Sequence, residues 1–135
     1  KNMQPPLPVE RTYSLWSALL SIVHLGLAPA CTVGQGGLAW SVGNREDMPQ
    51  SFPGWVGRAR RAHANLIENI IVFAVLVIVA HLAERNNDMT ALGAMLFFWA
   101  RVGFAVAYIL GITWIRSLLW FAGFVGMILI AVQLL

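Results

Sequence analysis

Four stretches of this chain carry almost no charge, and each lies within a segment long enough to cross a lipid bilayer. Tyr13 to Val33 is 21 residues without Lys, Arg, Asp or Glu. Asn69 to Ala83 is uncharged behind a polar start, Thr90 to Ile112 is interrupted by Arg101 alone, and Ser117 to Leu135 adds 19 uncharged residues. A spanning helix needs about 20 mostly apolar residues, so the expected fold is an all-α integral membrane bundle of four transmembrane helices. Within 135 residues such spans leave only short loops and a tail, which makes residues 1–135 a single domain. A content of 59% hydrophobic and 11% charged residues agrees, lying outside the balance of a soluble domain.

Turn signals set the expected helix bounds at about 13–34, 56–83, 90–112 and 115–135. Pro5, Pro6 and Pro8 make residues 1–12 an extended tail. Pro29 is expected to kink or end the first helix early. Ala28-Pro29-Ala30-Cys31 resembles a cleavage site, but the flank is not strongly basic and three more hydrophobic segments follow, so this span reads as a retained helix. Gly34, Gly36, Gly37 and Gly43 are expected to open a first loop that runs through Arg45 to Pro49, Pro53 and Gly54. These glycines form no phosphate cradle, since no Gly-Lys-Ser/Thr follows them. The third connection, around Gly111 and Thr113, is so short that it forces the third and fourth helices antiparallel.

The net charge of +3 reads as topology. Arg45, Arg58, Arg60, Arg61 and Arg116 flank the first and third loops, against Lys1, Arg11 and Arg85 on the other side. Positive residues favour the cytoplasm, which places loops 1 and 3 there and the termini away from it. Nucleic-acid binding would need an extended soluble basic face and is not expected. The single Cys31 excludes an intrachain disulfide and reads as an inert apolar residue, with nothing nearby to activate it. His24, His63 and His81 lack metal-ligand spacing, so no metal is expected. Trp40, Trp55, Trp114 and Trp120 fit an interfacial aromatic belt.

Charged residues within spans cost on the order of 2.5–3.5 kcal/mol even on lenient scales, and so face partners or wet cavities. At about 100° per residue, Arg58, Arg61, Asn65 and Glu68 fall within roughly 80° of arc, a polar stripe on the second helix. Arg101 and Tyr108, seven apart, share a face of the third. Two such stripes imply one polar interior. Glu68 and Arg101 read first as a structural ion pair, because either would be costly to bury alone.

The run from Arg58 to Phe73 contains Arg61-x-x-x-Asn65-x-x-Glu68 and resembles the second-helix signature of the MAPEG family, membrane-associated proteins of eicosanoid and glutathione metabolism. Ala100 to Tyr108 is similar to the family's third-helix pattern, and Ile115-Arg116-Ser117 resembles the start of its fourth helix. The similarity covers residues 43–135, and the Gly43-Asn44-Arg45-Glu46 loop is typical of bacterial-type members.

The resemblance implies a homotrimer in a bacterial inner membrane, with glutathione held as co-substrate between subunits. Arg61, Asn65, Glu68 and Tyr108 would contact the tripeptide, Arg101 would pair with Glu68, and Arg116, with Ser117 as a secondary candidate, would sit at the sulfur. The expected function is that of a glutathione transferase or peroxidase acting on lipophilic electrophiles that partition into the bilayer lipids. A second reading keeps the fold without catalysis, as a structural subunit among other membrane subunits. A transporter is disfavoured by the absence of repeats and broken helices.

Overall fold

Apolar side chains drive these segments into helices in a bilayer because a buried backbone must satisfy its own hydrogen bonds. The computed structural model of the chain describes residues 6–44 and 54–135. Arg45, Glu46, Pro49 and Pro53 of the first loop, and Pro5 of the tail, lie outside the described residues. Four helices follow in order: α1, Val9–Val42; α2, Gly54–Leu82; α3, Asp88–Leu110; α4, Thr113–Leu134. All four are long and apolar enough to cross a membrane.

The first helix departs most from expectation. It starts at Val9 rather than Tyr13, with the Pro8 carbonyl accepting from Thr12 N at 3.0 Å and Glu10 in the first turn. Proline is disruptive inside a helix but harmless just before its first turn, and an acidic side chain there complements the helix dipole. Pro29 lies within α1 without ending it, and Gly34 and Gly36 remain helical. Pro29 falls inside the candidate span Val9–Cys31, where a proline is tolerated because no water competes for the backbone groups. The regular path is interrupted at Gly37 (φ 77°, ψ 163°), and helix resumes to Val42.

Helix α3 is fixed at both ends. Asn87 accepts from the backbone N–H groups of Met89 and Thr90 at 2.9 and 3.0 Å, and Thr90 Oγ1 accepts from Asn87 N at 2.8 Å, a reciprocal cap. At the far end Gly111 adopts φ 80°, and Gly111 N and Ile112 N donate back to Tyr108 O and Ala107 O. A side chain is strained at that φ. Ile112 then caps α4, so α3 and α4 form a tight antiparallel hairpin.

Long-range hydrogen bonds set the arrangement. Thr90 Oγ1 donates to Glu10 Oε1 at 2.6 Å, Arg85 Nη1 donates to Leu134 O, and Arg58 Nε donates to Ile109 O. The starts of α1 and α3 and the ends of α2 and α4 therefore share one end of the bundle. The start of α2 and the α3–α4 turn share the other. Helix α3 packs on each of the other three, whereas α1 and α4 do not touch.

The core lies between α2, α3 and α4, around Phe73, Val77, Ala80, Ala94, Phe97, Met127 and Ile130. Phe73 and Phe97 stack at 4.0 Å. Gly93 and Gly126 bring α3 and α4 together, since a Cβ on Gly126 would lie 2.6 Å from the Gly93 carbonyl oxygen. With lipid on both sides of the comparison, close packing of small residues is what holds such helices. Gly126→Ala is expected to force the pair apart at a cost of about 1–3 kcal/mol, read as a lower thermal midpoint in detergent. An unchanged midpoint would contradict the contact. The outward faces, including Ile71, Val75 and Ile78 on α2 and Leu118, Phe121 and Ile128 on α4, are exposed and apolar.

Candidate functional site

The end of the bundle that holds the start of α2 and the α3–α4 turn gathers the basic side chains. Arg58, Arg60 and Arg61 come from α2 and Arg116 from the first turn of α4. The described acidic residues other than Glu68 lie elsewhere, with Glu10, Glu84 and Asp88 at the opposite end. This end is therefore electropositive.

Tyr108 is its centre. Arg61 Nε donates to the Tyr108 hydroxyl at 3.1 Å, and the Arg61 guanidinium stands 5.8 Å from the ring centroid. The Arg116 guanidinium lies 4.6 Å from the same centroid, within cation–π range. Phe104, one turn below, packs on Tyr108 with centroids 5.3 Å apart. The tight hairpin makes this possible by placing the first turn of α4 beside the last turn of α3.

Beside Arg116 opens a cleft of about 250 Å³ lined by Phe104, Arg116, Ser117 and Trp120. Ser117 Oγ donates to the Thr113 carbonyl at 3.3 Å, so its lone pairs can still accept from a ligand. The Trp120 indole stacks on Phe124, nearly parallel at 5.7 Å. Two aromatic walls, one fixed cation and one hydroxyl suit an apolar molecule with one polar or anionic atom.

Deeper in the bundle Arg101 is 1% exposed. Its Nη1 donates to Asn65 Oδ1 at 2.7 Å, and its Nη2 reaches the Trp120 carbonyl at 3.5 Å. The rings of Phe97 and Phe104 flank it at 5.3 and 5.6 Å. Gly123 makes room, since a Cβ there would stand 2.7 Å from Nη2. Asn69 Nδ2 donates to the Asn65 carbonyl at 2.7 Å.

The structure thus brings together Arg61, Tyr108, Arg116 and Ser117 at the open end, with Asn65 and Arg101 beneath them. The expected Glu68–Arg101 ion pair is not formed within the chain. Asn65, one turn earlier on α2, meets the guanidinium instead, and the Glu68 side chain is exposed. A carboxylate left where water or a neighbouring chain can reach it escapes the desolvation cost of burial.

Three features were not read from the sequence. Arg58, read from the sequence as part of the polar stripe on the second helix, donates to the Ile109 carbonyl at the C-terminal end of α3 at 3.1 Å. Trp120, assigned to the aromatic belt, walls the cleft, as does Phe104. Gly123 houses a guanidinium; the signal available for it was a glycine facing the span that carries the lone buried arginine.

A model of the MAPEG family matches residues 13–135 of this chain. A comparison with curated proteins gives no match.

Proposed function

Because the chain belongs to the MAPEG family and is an integral membrane protein, we propose that it is a glutathione-dependent transferase or peroxidase acting on lipophilic electrophiles. The observation that carries this reading is the convergence of Arg61, Tyr108 and Arg116 beside the aromatic-walled cleft. The donor set fits glutathione, which brings two carboxylates and a thiol. Arg61 and Asn65 offer charge-assisted or amide hydrogen bonds to a carboxylate, Tyr108 a hydroxyl, and Arg116 a cation at the mouth of the cleft. In this reading Glu68 meets the ligand or a neighbouring subunit, and Ser117 lies close to the reacting sulfur.

A free thiol with a pKa of about 8.5 is only a few per cent thiolate at pH 7. A guanidinium stays charged at any working pH and can hold a thiolate without giving up a proton. Arg116 therefore stabilises the sulfur anion, and the thiol proton leaves to water at the open end. The sulfur attacks an electrophilic carbon and expels its leaving group. Alternatively it attacks the terminal oxygen of a hydroperoxide and breaks the O–O bond, giving the sulfenic acid of glutathione and an alkoxide that takes a proton from water and leaves as the alcohol. A second glutathione then attacks the sulfenic sulfur, closing the disulfide and releasing water.

The active form is a homotrimer, with glutathione between subunits. The exposed apolar faces and the lack of contact between α1 and α4 support such an assembly. Loops 1 and 3 face the cytoplasm of a bacterial inner membrane, the side with more arginine. The detergent-purified protein is expected to bind glutathione with micromolar to millimolar affinity by calorimetry while sedimenting as a trimer. A folded trimer that binds none would sink the catalytic reading in favour of a structural subunit.

A further inference from the structure

We propose that Arg101 is a positioning residue that fixes the amide of Asn65 as a hydrogen-bond donor to a ligand carboxylate. The inference rests on the glutathione reading and extends it to a residue that the ligand never touches.

The orientation follows from donor chemistry. A guanidinium carries donors and no acceptor, so the Asn65 atom 2.7 Å from Arg101 Nη1 must be the amide oxygen. Asn69 Nδ2, 3.4 Å from the same oxygen, adds a second donor on that side. The Asn65 Nδ2 group is thereby turned away from Arg101. Among the described residues it donates to no other side chain. Asn65 is half-buried and lies one turn from Arg61 on the same arc of α2, so both present N–H groups along one face.

Arg101 itself cannot reach a ligand. It is enclosed by Phe97, Phe104, Asn65 and the α4 backbone at Gly123. Its rotation is restricted, because the Trp120 carbonyl holds Nη2 and Gly123 admits the guanidinium edge. A free asparagine amide can turn over and offer either an acceptor or a donor. Here one face is committed, which makes position 65 selective for an anionic group over a neutral ester. The deeper guanidinium thus acts through a neutral amide, and its charge is stabilised by the polarised oxygen.

The test compares wild type with Asn65→Asp, using glutathione and its diester, in which both carboxylates are capped, as calorimetric probes. An aspartate keeps an oxygen toward Arg101 and gains charge attraction, so the trimer is expected to fold with an equal or higher thermal midpoint. Its outward atom is now an acceptor that repels a carboxylate. Glutathione affinity is expected to fall about tenfold or more, while the diester loses little. The KM for glutathione should rise with kcat at saturation unchanged. Arg101→Lys, which keeps one donor, is expected to retain most of the affinity, and Arg101→Met, which frees the amide to turn over without adding a charge, to lose affinity measurably but less than Asn65→Asp.

Equal glutathione binding by wild type and Asn65→Asp would overturn the proposal. So would failure of Asn65→Asp to fold, because a carboxylate against Arg101 is the substitution that the assigned orientation accommodates. Absence of glutathione binding by wild type removes the glutathione reading and this inference with it, a result distinct from equal binding.

Discussion

Replacing Arg116 by alanine is expected to lower glutathione-dependent turnover at pH 7 by roughly 25-fold at saturating glutathione, with a loss of glutathione affinity of about fourfold. The magnitude follows from the thiol alone. If Arg116 lowers the sulfur pKa by about two units from 8.5, the thiolate fraction at pH 7 falls from about three quarters to about 3% when the guanidinium is removed. That shift corresponds to roughly 2.7 kcal/mol. The direction with pH is fixed as well. A depressed thiol pKa helps most below the unperturbed value, so the deficit of Arg116→Ala should shrink as the pH rises past about 8.5, where the thiolate forms unaided. Thiolate absorbance in the ultraviolet, titrated on the glutathione complexes of both proteins, reads the same shift without turnover. Identical titration curves would remove Arg116 from the sulfur.

The second large effect is expected at Gly123. A methyl group there would lie 2.7 Å from Nη2, 3.0 Å from Nε and 3.2 Å from Cζ of Arg101. The guanidinium cannot swing aside cheaply, with Asn65 on one edge and phenylalanine rings flanking it. Gly123→Ala should therefore break the contact with Asn65 or separate α4 from α3. Disrupting the pairing of a buried charge costs on the order of 3–5 kcal/mol. The expected readout is a large fall in thermal midpoint or loss of the folded protein. The double variant Gly123→Ala with Arg101→Met removes both the clash and the cation, and should regain much of the loss. Without that recovery, the glycine would matter for helix approach alone.

Much of this architecture was legible from side-chain polarity. Tyr13–Val33 and Ser117–Leu135 are uncharged over spanning lengths, and Asn87, Asp88 and Gly111 are strong boundary residues, so the ends of α3 fell within two residues of expectation. The first helix was misread because proline and glycine carry penalties measured in water. In α1, Pro29 lies within the apolar segment Val9–Cys31, where the backbone has no competing solvent, and does not stop the helix. The family resemblance is what grouped Arg61 with Tyr108 and Arg116, whereas local spacing gave the two polar stripes alone. Spacing could not decide which polar group Arg101 meets. Asn65 and Glu68 lie only about 60° apart on the helix, and the choice between them depends on the rotation of α2 against α3, which packing at Phe73 and Phe97 fixes.

The two-residue link between α3 and α4, Gly111 and Ile112, has a consequence for how such a protein can diversify. Phe104, Tyr108, Arg116, Ser117 and Trp120 lie within 17 consecutive residues, all carried on one hairpin. Every wall of the cleft comes from that hairpin, while Arg61 and Asn65 come from a separate helix encoded some forty residues earlier. Changes in cleft shape can therefore accumulate in one short genetic segment while the α2 donors stay as they are. The two parts are separable units of inheritance, joined by Arg61 at the Tyr108 hydroxyl and by Arg58 at the Ile109 carbonyl.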